Sequence, residues 1–567
     1  MRLIKQALER KTMLERDERA LEIAKEMVRI PSVNTTEGER HIAEYLERVF
    51  RAMPYFKEHP NQLAIEELKG DKLKRKNVMA LVIGERRSDS KTLILHGHTD
   101  TVGVEDFGGC KDVAFDPDKL IERLRTMDLS PEVRADLESG DYLFGRGICD
   151  MKSGDAVFIS LVEWLSNNAS QLAGNVLISL NPVEENLHTG IIEGIDTLLR
   201  WKDEFNLTYQ LAINNDYTCP LFEGDKKITM YTGVVGKLLP CFYIQGKETH
   251  VGQCFEGMDA SYTAARLVNR IHLNMDFSDV YDGEASMPPS VLKMKDLKPW
   301  YNVQTAKDSF VYFNYFVHNA EIDEIVEKLL GAAEGALEDT RQRVIKEASK
   351  YYSLSNLIKN IKAESSVKSS HKDVLLYEEL IDLMMKKTGI SPDEIKAKEN
   401  VIAKEEKSKG TDLREIPVEI IKQFLAILGI NDPVIVLYFA PPYCPHNMLQ
   451  KECAYLEDDL KEIVKQMESD TDLEYRLMHF FPSLSDSSYL KIDDSEESIE
   501  KLKANFPVME QLYPVPLEKI RKLNVPAVDF GCYGKDAHKW TERVNVPYTF
   551  EVLPYLLRVT LKHFEYL

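Results

Sequence analysis

Cysteine is scarce in this sequence, and long hydrophobic runs are absent from it. The eight cysteines are scattered over 567 residues without a C-x-x-C pair, which excludes a disulfide framework and a zinc ribbon and favours reduced thiols. No segment reaches about 18 consecutive apolar residues, so no membrane span is predicted. The N-terminal segment interrupts each short apolar run with charge, which argues against a signal peptide. We therefore expect a cytoplasmic protein.

Positive charge is also in short supply. The sequence has 72 lysines and arginines against 93 aspartates and glutamates, and its formal net charge is −21. A field of this sign repels the phosphates of nucleic acids and the headgroups of anionic lipids. We therefore expect neither a nucleic-acid partner nor a membrane partner.

The remaining composition is that of a globular protein with more than one domain. Apolar residues make up 44% of the chain and charged residues 29%, which is enough apolar material for a core. A single hydrophobic core stops growing at roughly 250 to 300 residues, and this chain is far longer. Two domains are therefore expected.

Short β-rich runs alternate with helical stretches over much of the chain. The predicted strands are 77–83, 92–97, 175–182, 209–215 and 523–531. The predicted helices are a segment that stops before Pro31, residues 154–166 and residues 552–564. This alternation is typical of the α/β class, in which helices cover a mostly parallel sheet.

A segment of different character interrupts the α/β pattern. Strand-like and helical stretches at 237–246, 257–273, 310–317 and 320–345 predict an inserted α+β domain. We place it at 235–442, between a first part of the α/β domain at 1–234 and a second part at 443–567. Lysine, glutamate and serine dominate near 350–430, which favours an extra, solvated helical segment there.

Five strand endings carry residue types that bind metals or transfer protons, and such endings form the crevice of an open α/β sheet. The residues are His98, Asp100, Asp150, Glu184, Glu185, Asp216 and His538. Taken singly, most of them are more typical of structural residues, because H-x-D pairs arise by chance and an aspartate before a helix usually caps it. The inference depends on their combination.

The adjacent Glu184 and Glu185 are the most informative of these residues. Two carboxylates at the end of an apolar strand are costly unless a positive charge, such as a divalent metal, neutralises them. A mixed set of imidazoles and carboxylates without thiolates suits two borderline or hard cations, with one carboxylate bridging them. One glutamate would bind a metal, and the other would take a proton from water. The pattern predicts a hydrolytic site.

The order of these motifs resembles the superfamily of two-zinc aminoacylases, acetylornithine deacetylases, succinyl-diaminopimelate desuccinylases, dipeptidases and tripeptidases. The motifs are HGHTDTV, GRGICDMKSGD, the glutamate pair, an aspartate and a histidine in GKDAHKWTE. The resemblance spans nearly the whole chain and implies a zinc-peptidase-like catalytic domain with an inserted lid and dimerisation domain. The phrases FAPPY, GKDAHKWTERV and SLSDSSYL are most similar to the arginine-utilisation (RocB) branch, which implies a role in arginine catabolism.

The resemblance also implies a set of metal ligands. Asp150, in a cis peptide bond with Met151, would bridge two divalent ions, of which zinc is the first choice and manganese or cobalt the others. The pairs that complete the two sites would be His98 with Asp216 and Glu185 with His538.

Other residues receive roles from the same resemblance. Asp100 would orient His98, and Glu184 would be the general base. In the lid, GKETHVG matches a G-x-x-x-H motif, which makes His250 a candidate for stabilising the oxyanion. Asn302 matches a lid asparagine that touches the substrate.

Departures from the family pattern bear on the substrate. The lid strand FVYFNYFVHN offers Asn314 and His318 but no arginine, which puts recognition of a free carboxylate in doubt. Asp216, where many deacylases have glutamate, favours an aminopeptidase or dipeptidase. We expect a two-metal amidohydrolase that cleaves a dipeptide or an N-acyl amino acid, as a homodimer through the lid or as a monomer with the enlarged insertion.

Two alternatives stay open at this point. The first is a catalytically inactive ligand-binding protein on the same scaffold, because a fold does not guarantee an activity. The second is a structural calcium or magnesium site, which the two histidines disfavour because hard cations prefer oxygen ligands.

Overall fold

The computed structural model describes residues 16–87, 89–354 and 372–567. The chain divides into two compact units. The first unit contains the chain up to Val235, His446–Asp493 and Pro516–Leu567, and the second contains Gly236–Pro445 and Asp494–Val515. Residues 355–371, which belong to the predicted segment at 350–430, lie outside the described residues.

The first unit contains an eight-stranded sheet. In sheet order its strands are Leu63–Glu67, Lys76–Ile83, Asn175–Asn181, Lys91–His98, Thr208–Asn214, Ala527–Asp529, Ile228–Tyr231 and Tyr475–Met478. The central pairings, from Asn175–Asn181 across to Ala527–Asp529, are all parallel. These strands are apolar runs that are buried along most of their length, as expected where helices cover both faces of a sheet. The predicted α/β class is confirmed.

Helices surround this sheet. They are Glu18–Val28, Gly38–Ala52, Pro54–Glu58, Pro117–Leu124, Pro131–Ser139, Ser153–Asn167, Thr189–Glu204, Tyr455–Thr471, Leu517–Leu523 and Leu553–His563. Two small sheets join Tyr142–Phe144, Arg543–Asn545 and Gly534–Lys535, and Gly233–Val234 with Asn447–Met448. The strand predicted at 523–531 is too long, because a helix ends at Leu523 and Asn524 then takes a φ of 48°.

The second unit contains a mainly antiparallel sheet. In sheet order its strands are Ser290–Asp296, Asp308–Val317, Pro240–Gln245, Val434–Phe439 and Val374–Leu376, with Gly236–Leu238 paired to Asp308–Val317 and a separate ribbon of Val280–Tyr281 and Glu284–Ala285. Its helices are Ala260–Ile271, Ile322–Leu354, Tyr377–Thr388, Pro392–Ser408, Ile416–Ile427, Glu496–Ala504 and Met509–Leu512.

Residues Asp494–Val515 also belong to this second unit, although they lie within 443–567, the predicted second part of the α/β domain. Several hydrogen bonds attach them to the rest of this unit. The Ser498 hydroxyl accepts from the Ile322 backbone N–H at 2.8 Å, and the Phe439 N–H donates to the Asn505 carbonyl at 2.8 Å. Such contacts join residues that are distant in sequence, and composition does not reveal them.

The segment after residue 372 is helical, as predicted, and one face of its helices is buried rather than solvated. Leu380, Met384 and Phe424 are buried in one cluster with Tyr438 of the sheet. These apolar residues recur at helical spacing among lysines and glutamates, so that one face of each helix packs on the sheet while the charged face meets solvent.

Candidate metal centre

The ends of the strands in the first unit bring the predicted ligands together in two groups. His98, Asp150 and Asp216 form one group, and Asp150, Glu185 and His538 form the other, with the donor atoms of each group within 4.8 Å of one another. His98 Nε2 lies 3.0 Å from one oxygen of Asp150, and His538 Nε2 lies 3.0 Å from the other. Asp150 therefore belongs to both groups, with one carboxylate oxygen beside each imidazole.

The local backbone explains how Asp150 reaches this position. Gly147 has a φ of 75°, in the left-handed region that favours glycine, and it turns the chain toward the helix Ser153–Asn167. The predicted cis peptide bond between Asp150 and Met151 is confirmed. His538 has a φ of 64°, which a non-glycine residue rarely adopts unless its surroundings hold it.

Glu542 supports this turn, and sequence reasoning missed it. One of its carboxylate oxygens accepts from the backbone N–H groups of Cys149 and Asp150, at 3.0 and 3.2 Å. The other accepts from Arg146 at 2.7 Å, and both side chains are buried. Burial raises the pKa of Glu542 to about 7, although Arg146 opposes this. The signal was present in the phrase GKDAHKWTERV, which contains Glu542.

Asp100 contacts both His98 and the glutamate pair, and its role in orienting His98 stays a prediction. Its carboxylate lies 3.7 Å from His98 Nδ1, beyond hydrogen-bond distance, whereas its backbone carbonyl lies 3.1 Å from that nitrogen. The carboxylate instead accepts from the backbone N–H groups of Glu184 and Glu185, at 3.0 and 3.1 Å, and from Asn34 Nδ2 at 2.9 Å. The Asp100 side chain therefore fastens the glutamate pair, and its backbone fixes the imidazole.

Glu184 lies beside the two groups and belongs to neither of them. Its Oε2 lies 3.9 Å from His98 Nε2, and its side chain is only 9% exposed. Val183, directly before it, has a φ of 73°, which is unusual for a β-branched residue. The glutamate pair therefore stands on a strained and closely held turn.

Buried negative charge dominates the electrostatics of the site. Burial raises the pKa of Glu184 and Glu185, and burial together with Asp150 raises the pKa of Asp216 to about 8. Burial would lower the pKa of His538, but the hydrogen bonds that its imidazole donates to Asp150 and Glu185 raise this pKa to about 11. The raised pKa values mean that these carboxyl and imidazole groups hold their protons more tightly where the carboxylates lie close together. Divalent cations could replace these protons, and the donor set fits two of them.

The two residues predicted in the lid, His250 and Asn302, belong to the second unit, and both are exposed. His250 Nδ1 accepts from the Gly252 N–H at 3.0 Å. Asn302 Oδ1 accepts from the Gln304 N–H at 3.2 Å. These local contacts leave the roles of both residues in substrate binding as predictions.

Comparisons with known proteins decide the family. A model of Peptidase family M20/M25/M40 matches residues 94–562. The chain belongs to this family. Protein RocB of Bacillus subtilis is 37% identical over 554 residues, which cover 96% of this M20 chain and 95% of RocB. Protein YqjN of the same organism is 32% identical over 537 residues, 94% of each chain. The predicted superfamily and its RocB branch are therefore confirmed.

A solved structure extends the fold comparison. Aminopeptidase PepT from Bacillus cereus superposes with a TM-score of 0.51 at 12% identity, over 97% of this M20 chain and 99% of PepT. This likeness supports the fold. Membership of the M20 family makes the chain a metal-dependent hydrolase, and no finding supports the inactive alternative. None of the helices in the described ranges combines the length and hydrophobicity needed to span a bilayer.

Proposed function

We propose that this chain is a two-metal amidohydrolase that cleaves a small amide, either a dipeptide or an N-acyl amino acid. The observation that carries the proposal is the shared Asp150, with one imidazole at each of its oxygens. A buried carboxylate that is not part of either group, Glu184, lies beside it. A structural metal site has no need of such a carboxylate.

In this proposal His98, Asp150 and Asp216 hold one metal ion, and Asp150, Glu185 and His538 hold the other. Imidazole and carboxylate ligands without thiolate suit zinc, with manganese or cobalt as alternatives. When bound, the ions would polarise the scissile carbonyl and lower the pKa of water to about 7.

The residues of the chain would do the remaining work. Glu184 Oε2, on the His98 side, would accept a proton from the attacking water as its oxygen bonds to the carbonyl carbon. Glu184 would then deliver that proton to the amine nitrogen as the C–N bond breaks. Asp100 would hold Glu184 and Glu185 through their backbone N–H groups, so that their carboxylates do not need to reorganise during the reaction.

For the second unit, the proposal rests on similarity to the family. His250 would stabilise the oxyanion and Asn302 would touch the substrate. The strand Ser290–Asp296 lies at an edge of its sheet and exposes Leu292 and Met294, which supports a homodimer through this unit because edge strands readily pair with another chain. A cytoplasmic role in arginine or amino-acid catabolism follows from the branch resemblance.

Metal content and turnover test the proposal together. The full chain, purified without chelators or a histidine tag, should contain two metal ions, and D150A should lose them. A panel of dipeptides and N-acyl amino acids, assayed with zinc, manganese or cobalt, should reveal hydrolysis that E184A reduces by about 100-fold or more. Full turnover by E184A, or no metal binding in excess zinc, would contradict the mechanism.

A further inference from the structure

A buried histidine and aspartate pair lies beside Glu184, next to the carboxylate oxygen other than the one that His98 approaches. His188 Nδ1 is 2.9 Å from one oxygen of Asp486 and 4.0 Å from Glu184 Oε1, while Glu184 Oε2 is 3.9 Å from His98 Nε2. Each oxygen of Glu184 therefore has an imidazole as its neighbour. His188 and Asp486 are each 1% exposed.

The chain holds His188 in place from several directions. It has a φ of 54°, and its N–H donates to the Val183 carbonyl at 2.9 Å, which closes the turn that carries the glutamate pair. Its ring lies 5.3 Å from the ring of Tyr489, centre to centre. Both ends of this turn, Val183 and His188, have left-handed backbone angles. Such strain persists only where the surroundings hold it, and it concentrates at functional sites.

Asp486 comes from a segment to which the proposed function assigns no role. It lies in the phrase SLSDSSYL, at the start of the short 3-10 helix Asp486–Leu490. The side chain of Asn447 secures this helix by donating to the Ser487 carbonyl at 3.0 Å. His188 Nδ1 lies 2.9 Å from the nearer Asp486 oxygen, and a hydrogen on Nδ1 is donated to that oxygen.

We propose that His188, held by Asp486, is a positioning residue that fixes the Glu184 carboxylate for proton transfer. The inference rests on the proposed function, in which Glu184 is the general base. His188 Nδ1 lies 2.9 Å from Asp486 and 4.0 Å from Glu184 Oε1, and the partial positive charge of its N–H group attracts that Glu184 oxygen over the longer distance. The contact with Asp486 fixes the His188 ring. If the Glu184 side chain rotated, its Oε1 atom would therefore move away from His188. Glu184 Oε2 is thereby kept on the side of His98.

A purely structural role does not account for this pair. His188 is the N-cap of the helix Thr189–Glu204, yet its side chain makes no capping hydrogen bond. Serine, threonine, asparagine or aspartate would satisfy that helix end better. The second oxygen of Asp486 is buried without a hydrogen-bond partner among the described residues, which is costly to keep for stability alone.

The test compares His188→Leu with His188→Asn in the full, metal-loaded chain, on a substrate found by the panel above. Leucine removes the donor, whereas the asparagine side chain can place an N–H near the position of Nδ1. We expect H188L to lower kcat by about 100-fold, with KM and metal content little changed, because the base is misplaced. H188N should recover most of the lost rate. Ile195→Ala is the matched control, because Ile195 is buried in the same helix and its loss should lower thermal stability without lowering kcat.

A double variant separates this inference from the proposed function. In an E184Q background, H188L should cause no further loss of the residual rate, since His188 acts through Glu184. An unchanged kcat in H188L would overturn the positioning role. So would a further fall of about 100-fold in the rate of E184Q/H188L relative to E184Q. Full activity of E184Q would instead refute the proposed function. A crystal structure of zinc-loaded H188L gives a readout without turnover: the Glu184 carboxylate should have rotated, and an unmoved carboxylate would overturn the inference.

Discussion

The Asp100 carboxylate offers a sharp test of how the site is held together. Asp100→Asn preserves the shape of the side chain but turns one of its two acceptor oxygens into a donor. Those oxygens now accept from the N–H groups of Glu184 and Glu185 and from Asn34 Nδ2. Whichever way the new amide turns, its NH₂ group must face at least one of these donors.

The size of the effect follows from these contacts. Asp100 is 0% exposed, so that water cannot replace a lost partner. Each hydrogen bond to a charged group contributes about 1.5 to 3 kcal/mol, and D100N loses at least one. Replacing a residue that supports a metal ligand in this way typically weakens metal affinity by about 10- to 100-fold. Asn34→Ala, which removes one of the three bonds, should cause a smaller loss of the same kind.

Chelator competition with zinc measures this loss directly. Asp100 and Asn34 act next to the Glu185 backbone. We therefore expect the ion held by Glu185 and His538 to be released first. The loss of zinc affinity should be smaller in N34A than in D100N. Wild-type zinc affinity in D100N would refute the claim that this carboxylate fastens the glutamate pair. If only the ion held by His98 were weakened, the role of Asp100 in orienting His98 would instead be supported.

Three further predictions concern other parts of the chain. Glu542→Gln should release both metal ions together, because it loosens the backbone around the shared Asp150; elemental analysis would contradict this if one ion stayed bound. Removal of metal should make stability depend on pH: the pKa of Asp216 rises from 3.8 to about 8 in the fold without metal, so the folded chain holds this proton more tightly and its stability falls as pH rises through that window. Thermal unfolding should show this fall for the metal-free chain and not for the loaded one. Glu399 is buried against Tyr377, and burial raises the pKa of Glu399, so this group should destabilise the folded chain as pH rises above 4.5. Glu399→Gln should reduce that loss of stability. An unchanged pH slope of the free energy of unfolding in urea would contradict this.

Much of the site could be predicted because its residues follow strands. His98 ends one strand and Asp216 comes two residues after the end of its parallel neighbour, and strand periodicity is visible in sequence. The contacts of Asp100 could not be predicted, since spacing does not show which backbone N–H groups a carboxylate will meet. The pair of His188 and Asp486 joins residues 298 positions apart, and neither residue stands in a pattern that predicts their contact. The buried faces of the helices after residue 372 could not be predicted, because charged residues dominate the composition there.

The shared Asp150 has a consequence for how the site fills. Its two oxygens hold the imidazoles of His98 and His538 at the same time, and the pKa of Asp150 is lowered, despite its burial, by hydrogen bonds from these two imidazoles. A metal ion that displaces the proton of one of these imidazoles also neutralises the carboxylates around Asp150. Those carboxylates raise the pKa of the second imidazole. Arrival of the first ion thus makes the second imidazole easier to deprotonate, which opposes the repulsion between the two ions. Loading should then be cooperative, with few chains carrying a single ion at intermediate metal concentrations.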